Sequence, residues 1–246
     1  MSLTGNTPLI AATQSWNLEV VQLLLGHSKI NINWWGEQTK TQNIIVQWKV
    51  QENIVKVQYT ALTKAVELWN KEIVQELVKQ EDIYLYPKQI EIAFWIAVQN
   101  NQIEIVDMLY SGEYINKSFV DICLLHAVRN NQIEVAKKIL EYEVDVNYKD
   151  QDKNFLLWAA AFRNQEEIVR MLLAKDAIDV NMANDQWESA LRFACAIGAW
   201  EIVKMLLEKE GIEVNINIQG HTLLTLASQK GHSEIVQLLE RHSQSK

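Results

Sequence analysis

Five histidines and two cysteines are the side chains of this 246-residue chain best suited to act as base, nucleophile or soft metal ligand near neutral pH. The histidines are His27, His126, His221, His232 and His242. Zinc needs ligands at short, fixed spacings. Cys123 and Cys195 lie 72 residues apart, with no Cys-x-x-Cys and no paired Cys/His spacing. That separation offers no disulfide framework either. There is no Gly-rich phosphate loop, no His-Glu-x-x-His and no Gly-x-Ser-x-Gly elbow. The expectation is a non-enzymatic chain with no catalytic residues, no metal site and no cofactor.

Recognition chemistry is better supplied. Nine Trp against five Phe inverts ordinary usage, and Trp is enriched at the energetic centres of interfaces. Trp95 and Trp158 hold equivalent places early in two helical stretches, and Trp34, Trp35 and Trp187 fall in turns. Trp48 lies in a β-rich run, while Arg129, Phe162 and Arg163 each follow a pair of small residues. A mixture of Trp, Phe and Arg is what a protein-binding surface uses. These nine residues are the candidate partner-binding set. Trp200, beside Glu201 at the start of a helix, reads as packing instead.

The elements that must position them repeat. Ala97-Val98-Gln99-Asn100-Asn101-Gln102-Ile103-Glu104-Ile105-Val106 is matched by Ala127-Val128-Arg129-Asn130-Asn131-Gln132-Ile133-Glu134-Val135-Ala136. Further copies start at Ala12, Ala65, Ala160, Ala194 and Ala227. The seven glutamates in phase (Glu19, Glu72, Glu104, Glu134, Glu167, Glu201, Glu234) lie 53, 32, 30, 33, 34 and 33 residues apart. A period near 33 with one longer gap is the pattern of a repeat array carrying a single insertion. The last unit shows the local logic. Thr222 can cap a helix in which Leu223, Leu224 and Ala227 face inward, and Gly231 stops it. A second helix then buries Ile235, Val236, Leu238 and Leu239. The small residue of each first helix lets neighbouring helices approach closely.

Thr7-Pro8-Leu9, the Glu-(Ile/Val)-Val runs from Glu19 to Leu25 and Glu201 to Leu207, and Val-Asn at 146–147, 180–181 and 214–215 make the chain resemble the ankyrin-repeat family. The resemblance implies an all-α solenoid of seven helix pairs. A single domain, 1–246, would hold repeats at about 4–33, 59–86, 90–116, 120–147, 153–181, 187–215 and 220–246. It also implies a concave binding face built from first helices and turns, to which Phe162-Arg163, Arg129-Asn130 and Gln99-Asn100 would contribute. His232 stands at the family's usual histidine, which implies a structural hydrogen bond. Cys123 and Cys195 stand where small buried residues belong. The family's helix-ending Gly is replaced by Trp16, Trp69, Asn101, Asn131 and Asn164. Trp does not readily take the left-handed backbone, so the first two repeats are expected to be the least regular. The turn at 82–87 lacks the usual Asn and is expected to be atypical.

The insertion, about 36–58, reads as a β-hairpin between repeats 1 and 2. With Glu52-Asn53 as its turn, Val50 opposes Val55, Trp48 opposes Val57 and Val46 opposes Tyr59, while Lys49 meets Lys56 and Gln47 meets Gln58. Apolar pairs share one face and polar pairs the other, and a one-residue slip destroys that match. Three covers for the apolar face stay open: the repeats themselves, a partner, or a second copy.

A net charge of −8 lacks the basic footprint that nucleic acid demands. It suits a basic protein partner, since opposite charge speeds encounter, although acidity also serves solubility alone. No membrane span and no secretory leader is visible, so a cytoplasmic location is expected, with secretion into a host cell as an alternative. The expected function is a protein-interaction scaffold, monomeric or weakly self-associating through the hairpin. Narrower alternatives are an inhibitor or immunity protein against a basic enzyme or toxin, and a secreted effector. From a different class comes a small-molecule or nucleotide sensor with an aromatic pocket around Trp95 and Trp158.

Overall fold

Short amphipathic segments of seven or eight residues cannot hold a helix in water by themselves; each must bury its apolar stripe against a neighbour. In the computed structural model, residues 7–27, 30–33, 60–110, 114–215 and 221–244 are described. The expected hairpin lies outside these residues. The described residues form fourteen α-helices and one short 3-10 helix, the all-helical class expected. The chain divides into two compact units, 1–116 and 117–246.

In the first unit α1 (Pro8–Gln14), α3 (Ala61–Glu67) and α5 (Pro87–Gln99) pair in turn with α2 (Leu18–Leu25), α4 (Lys71–Val78) and α6 (Ile103–Leu109). First helices pack on first helices and second on second: α3 lies against α1 and α5, and α4 against α2 and α6. The 3-10 helix Glu81–Leu85 occupies the turn expected to be atypical. The second unit repeats the scheme. Its first helices are α7 (Lys117–Arg129), α9 (Leu156–Phe162), α11 (Ala190–Ile197) and α13 (Leu223–Gln229). Its second helices are α8 (Ile133–Leu140), α10 (Glu166–Leu173), α12 (Trp200–Leu207) and α14 (Ser233–Gln244).

The repeated alanine does more than save space. Ala12, Ala65, Ala97, Ala127, Ala160, Ala194 and Ala227 are all buried. In every pair the carbonyl of that alanine accepts the amide five residues on, which closes the first helix: Asn17 to Ala12 at 3.2 Å, Gln102 to Ala97 at 2.8 Å, His232 to Ala227 at 2.9 Å. This closure requires a left-handed residue just before the donor. Trp16 (φ 59°) and Trp69 (φ 61°) adopt it just as Asn101 (57°), Asn131 (58°) and Asn164 (53°) do. The expected irregularity of the first two repeats is therefore corrected. Their indoles are 56% and 57% exposed, so the bulk of Trp meets solvent and only the backbone strain, about 1–2 kcal/mol, opposes the turn.

Caps follow the sequence. Thr7, Thr60, Ser189 and Thr222 each accept an amide of the first turn, and Thr60 and Thr222 complete capping boxes with Thr63 and Thr225. Asparagines of the Val-Asn motif tie one repeat to the next. Asn147 donates to the Ala177 carbonyl (2.7 Å) and accepts from the Asp179 amide (2.8 Å). Asn181 repeats this with Gly211 (2.8 Å) and Glu213 (2.9 Å). Lys175 and Lys209 donate to the last carbonyls of the preceding second helix, Leu140 and Leu173, where a cation also suits the helix dipole.

Candidate functional site

Trp158 and Phe162 sit four residues apart on α9, which places both rings on one face of the helix. Their centroids are 5.2 Å apart and stacked. Phe193 of the adjacent α11 completes a triangle, 5.8 Å from Trp158 and 5.0 Å from Phe162. Leu156, Leu157 and the alanines at 159, 160 and 161 are buried in the packing of α9, so the helix meets solvent on the side of these rings. Phe162 is 46% exposed. The guanidinium of Arg163 stands over the Phe162 ring at 5.6 Å, a cation–π contact that holds the arginine against the aromatic surface. Ile197, one turn on from Phe193, is also exposed.

Turn tips border these helices. Lys149 bridges Phe155 and Ala183 bridges Ser189, forming two small β-closed turns. Asp150 shapes the first by accepting the Asn154 amide at 2.8 Å, and Asn184 shapes the second by accepting the Glu188 amide at 2.9 Å. Lys153 (φ 60°) and Trp187 (φ 61°) occupy the left-handed place in each. Trp187 is 69% exposed, a large indole presented to solvent on a strained backbone. Strain of this kind persists where the surroundings fix it and is concentrated at functional positions.

The other expected site residues fall differently. Arg129 is engaged, pairing with Asp150 at 2.9 Å, and so holds the first turn tip to α7. Trp95 lies half-buried on α5 of the first unit. Trp34, Trp35 and Trp48 lie outside the described residues. Phe193, Arg192 and Ile197 join the face although none is among the nine residues expected from the sequence. The four-residue spacing of Phe193 and Ile197 marks one face of α11, but that this face meets α9 is visible only in the packing.

The titratable groups behave as structural elements. Cys123 and Cys195 are buried free thiols, and burial pushes the Cys195 thiol up to about 12. It stays a thiol at neutral pH and is a poor nucleophile. Burial, and then the charge of Arg129, hold His126 below its ordinary value. Its ring lies 3.2 Å from Asn130 Nδ2, an arrangement in which neutral Nε2 accepts. His232 contacts the Ala196 carbonyl at 3.2 Å, the structural bond implied for it. Among the described residues no three His, Cys, Asp or Glu are placed to hold a metal. No helix among them is long and apolar enough to cross a membrane.

Paired short helices stacked like on like, closed by a left-handed turn and carrying residue clusters on first helices and tips, define a helical repeat protein. The sequence comparisons specify which. A model of three ankyrin repeats matches residues 94–184 and 178–245, and a model of a single ankyrin repeat matches residues 4–35. The chain belongs to the ankyrin-repeat family. Residues 36–93, which carry the long spacing between Glu19 and Glu72, lie outside these matches. Among solved structures, the ankyrin repeat domain of Bcl-3, a member of the IkappaB family, is similar with a TM-score of 0.70. That match has 19% identity and covers 96% of this chain and 99% of that one. No curated protein sequence matches. Ankyrin repeats are typically non-enzymatic protein-interaction modules, and an interaction scaffold is the class of work supported here.

Proposed function

We propose that this chain is a protein-interaction scaffold whose main contact surface is the first-helix face of residues 117–246. The turn tip at Trp187 extends that surface, and Trp95 supplies a second anchor in the other unit. The observation that carries the reading is the cluster of Trp158, Phe162 and Phe193, three rings mutually within 6 Å with Phe162 left open to solvent. Aromatic anchors held rigidly lose little entropy on binding, which favours them as energetic centres. The inserted segment 36–58, with Trp34, Trp35 and Trp48, is proposed as an additional contact or a site of weak self-association. A cytoplasmic location accompanies this reading. So do the narrower forms of inhibitor and secreted effector, which differ in partner rather than in surface.

The sensor reading is less well supported. A surface hollow of about 350 Å³ is lined by Trp200, Glu234, Gln237, Leu238 and Arg241, on α12 and α14. It takes none of the cluster's rings.

The test is affinity capture from the native host with mass spectrometry, followed by titration of the captured partner against Phe162→Ala and Trp187→Ala. Both side chains are exposed, so the fold should persist, as circular dichroism would verify. Loss of affinity of about tenfold or more is expected for Phe162→Ala. Unchanged affinity in both folded variants would end this assignment of the surface. A concentration series in light scattering tests self-association.

A further inference from the structure

We infer that the aromatic cluster of α9 and α11 receives an acidic protein segment, one in which a large apolar side chain is flanked by carboxylates. This rests on the reading of the face given above and names the chemistry of its partner. It runs against the expectation of a basic partner drawn from the net charge of −8.

The charge is not spread evenly. Helices α9, α11 and α13 contain no Asp or Glu and one basic residue, Arg192, whereas the second helices of the same unit mix Glu134, Glu166, Glu167, Glu201, Glu234 and Glu240 with Lys137, Lys138, Arg170, Lys204 and Arg241. Arg163 stands over the Phe162 ring, and Arg192 precedes Phe193 on α11. Among the described residues neither is in an ion pair, in contrast to Arg129 with its Asp150. Arg192 occupies in α11 the place that Trp158 holds in α9. Its Nη1 and the Trp158 Nε1 are both buried without a hydrogen-bond partner. Those two donors are closed to solvent, so the group open to an incoming acceptor is the exposed Arg163 guanidinium, set over Phe162. Of the tip carboxylates Asp150, Asp152, Asp185 and Glu188, none pairs with Arg163 or Arg192 among the described residues. Asp150 is held by Arg129 and Asn154, and Glu188 accepts from Asn184.

The same arrangement rejects other occupants. A lysine or quaternary ammonium seeking an aromatic cage would meet the like charge of Arg163 beside the Phe162 ring. A nucleic acid strand would gain two arginine contacts here against a strongly acidic chain, too few for the counterion release that drives such binding. A carboxylate beside an apolar anchor satisfies both components together: the anchor lies on Phe162 and the acid pairs with Arg163, bidentate geometry being available.

A display library of random twelve-residue peptides, with acidic and basic residues equally represented, should be selected on the full chain. Enriched peptides are then measured by fluorescence anisotropy. The expected result is enrichment of Asp or Glu within a few residues of Trp, Phe or Leu. Binding should weaken about tenfold in Arg163→Glu, recover in Arg163→Lys, and weaken about tenfold in Phe162→Ala. Both positions are exposed, so folded variants are available. Enrichment of basic or uncharged peptides, or no enrichment, would overturn the proposal; so would acidic peptides indifferent to Arg163→Glu, or tighter binding of a labelled polyuridine strand. Basic peptides that still lose affinity in Phe162→Ala would leave the face standing and remove only its charge preference. Peptides indifferent to Phe162→Ala would remove the face itself.

Discussion

The turns after α1 and α3 and those after α5, α7 and α9 have the same backbone and hold it by different means. In the first group Trp takes the left-handed position and Asn follows, its side chain accepting the amides of Val20 (3.0 Å) and Ile73 (2.9 Å) within its own second helix. In the second group Asn takes that position and Gln follows. One methylene longer, the glutamine does not cap. Gln102 reaches back to the Val66 carbonyl at 2.9 Å and Gln165 to the Val128 carbonyl at 2.8 Å. A local bond has been exchanged for one between repeats, and His232 makes the same backward bond to Ala196. Side-chain length alone thus decides whether the turn stabilises one helix or couples two pairs.

The sharpest way to break the comparison is at Gly198. Its φ of 81° lies in the same region as that of the tryptophans, but an added Cβ would come within 2.6 Å of His232 Cε1. Trp16 and Trp69 meet no such neighbour because they face solvent. Gly198→Ala should therefore destabilise by about 3 kcal/mol, combining backbone strain with a clash. Gly231→Ala, with open space at its Cβ, should cost only about 1–2 kcal/mol. Equal losses in chemical denaturation would mean that strain alone governs these turns.

The two kinds of hydrogen bond should differ in size. Gln165→Ala removes a buried amide that donates to Val128 and to Asn131 Oδ1, and about 2 kcal/mol should be lost. Asn70→Ala removes a cap and should cost about 1 kcal/mol. The distinction fails if the order is reversed.

Trp69→Asn carries the second group's residue into the first. Asn accepts the left-handed backbone more readily, so stability should rise by about 0.5–1 kcal/mol. A fall would show that the indole contributes packing beyond its exposed surface.

The smallest effect concerns the turn after α7, where Asn130 Nδ2 donates to the His126 carbonyl at 2.8 Å and lies beside the ring. His126 is held below its ordinary value by burial, so the unfolded chain takes up this proton first as pH falls. Stability should be unaffected above the ordinary histidine range and decline as pH drops through it. His126→Gln should flatten that limb of a thermal-denaturation series between pH 7 and pH 5. An unaltered slope would place the acid sensitivity elsewhere.

Much of this was legible in the sequence. The alanines and glutamates in phase located the helices because burial and closure act on the same residue. The Trp turns were misjudged because backbone preference was weighed for the residue alone, whereas the direction of its side chain decides the outcome. Trp158 and Phe162 were recognisable as surface candidates. Phe193 and Arg192 were not, since their relation to α9 arises from packing between neighbouring helices. The pairing of Arg129 with Asp150 depends on how the turn tip folds back, which spacing along the chain does not reveal.

The asparagine clamps at Asn147 and Asn181 grip only main-chain atoms of the following loop. Nothing in that grip reads the identity of the residues gripped. Mutation can rewrite the gripped loop residue by residue without loosening the joint, provided the backbone path is kept. For a lineage under pressure to track a changing target, this separates the part that must be inherited from the part that is free to vary.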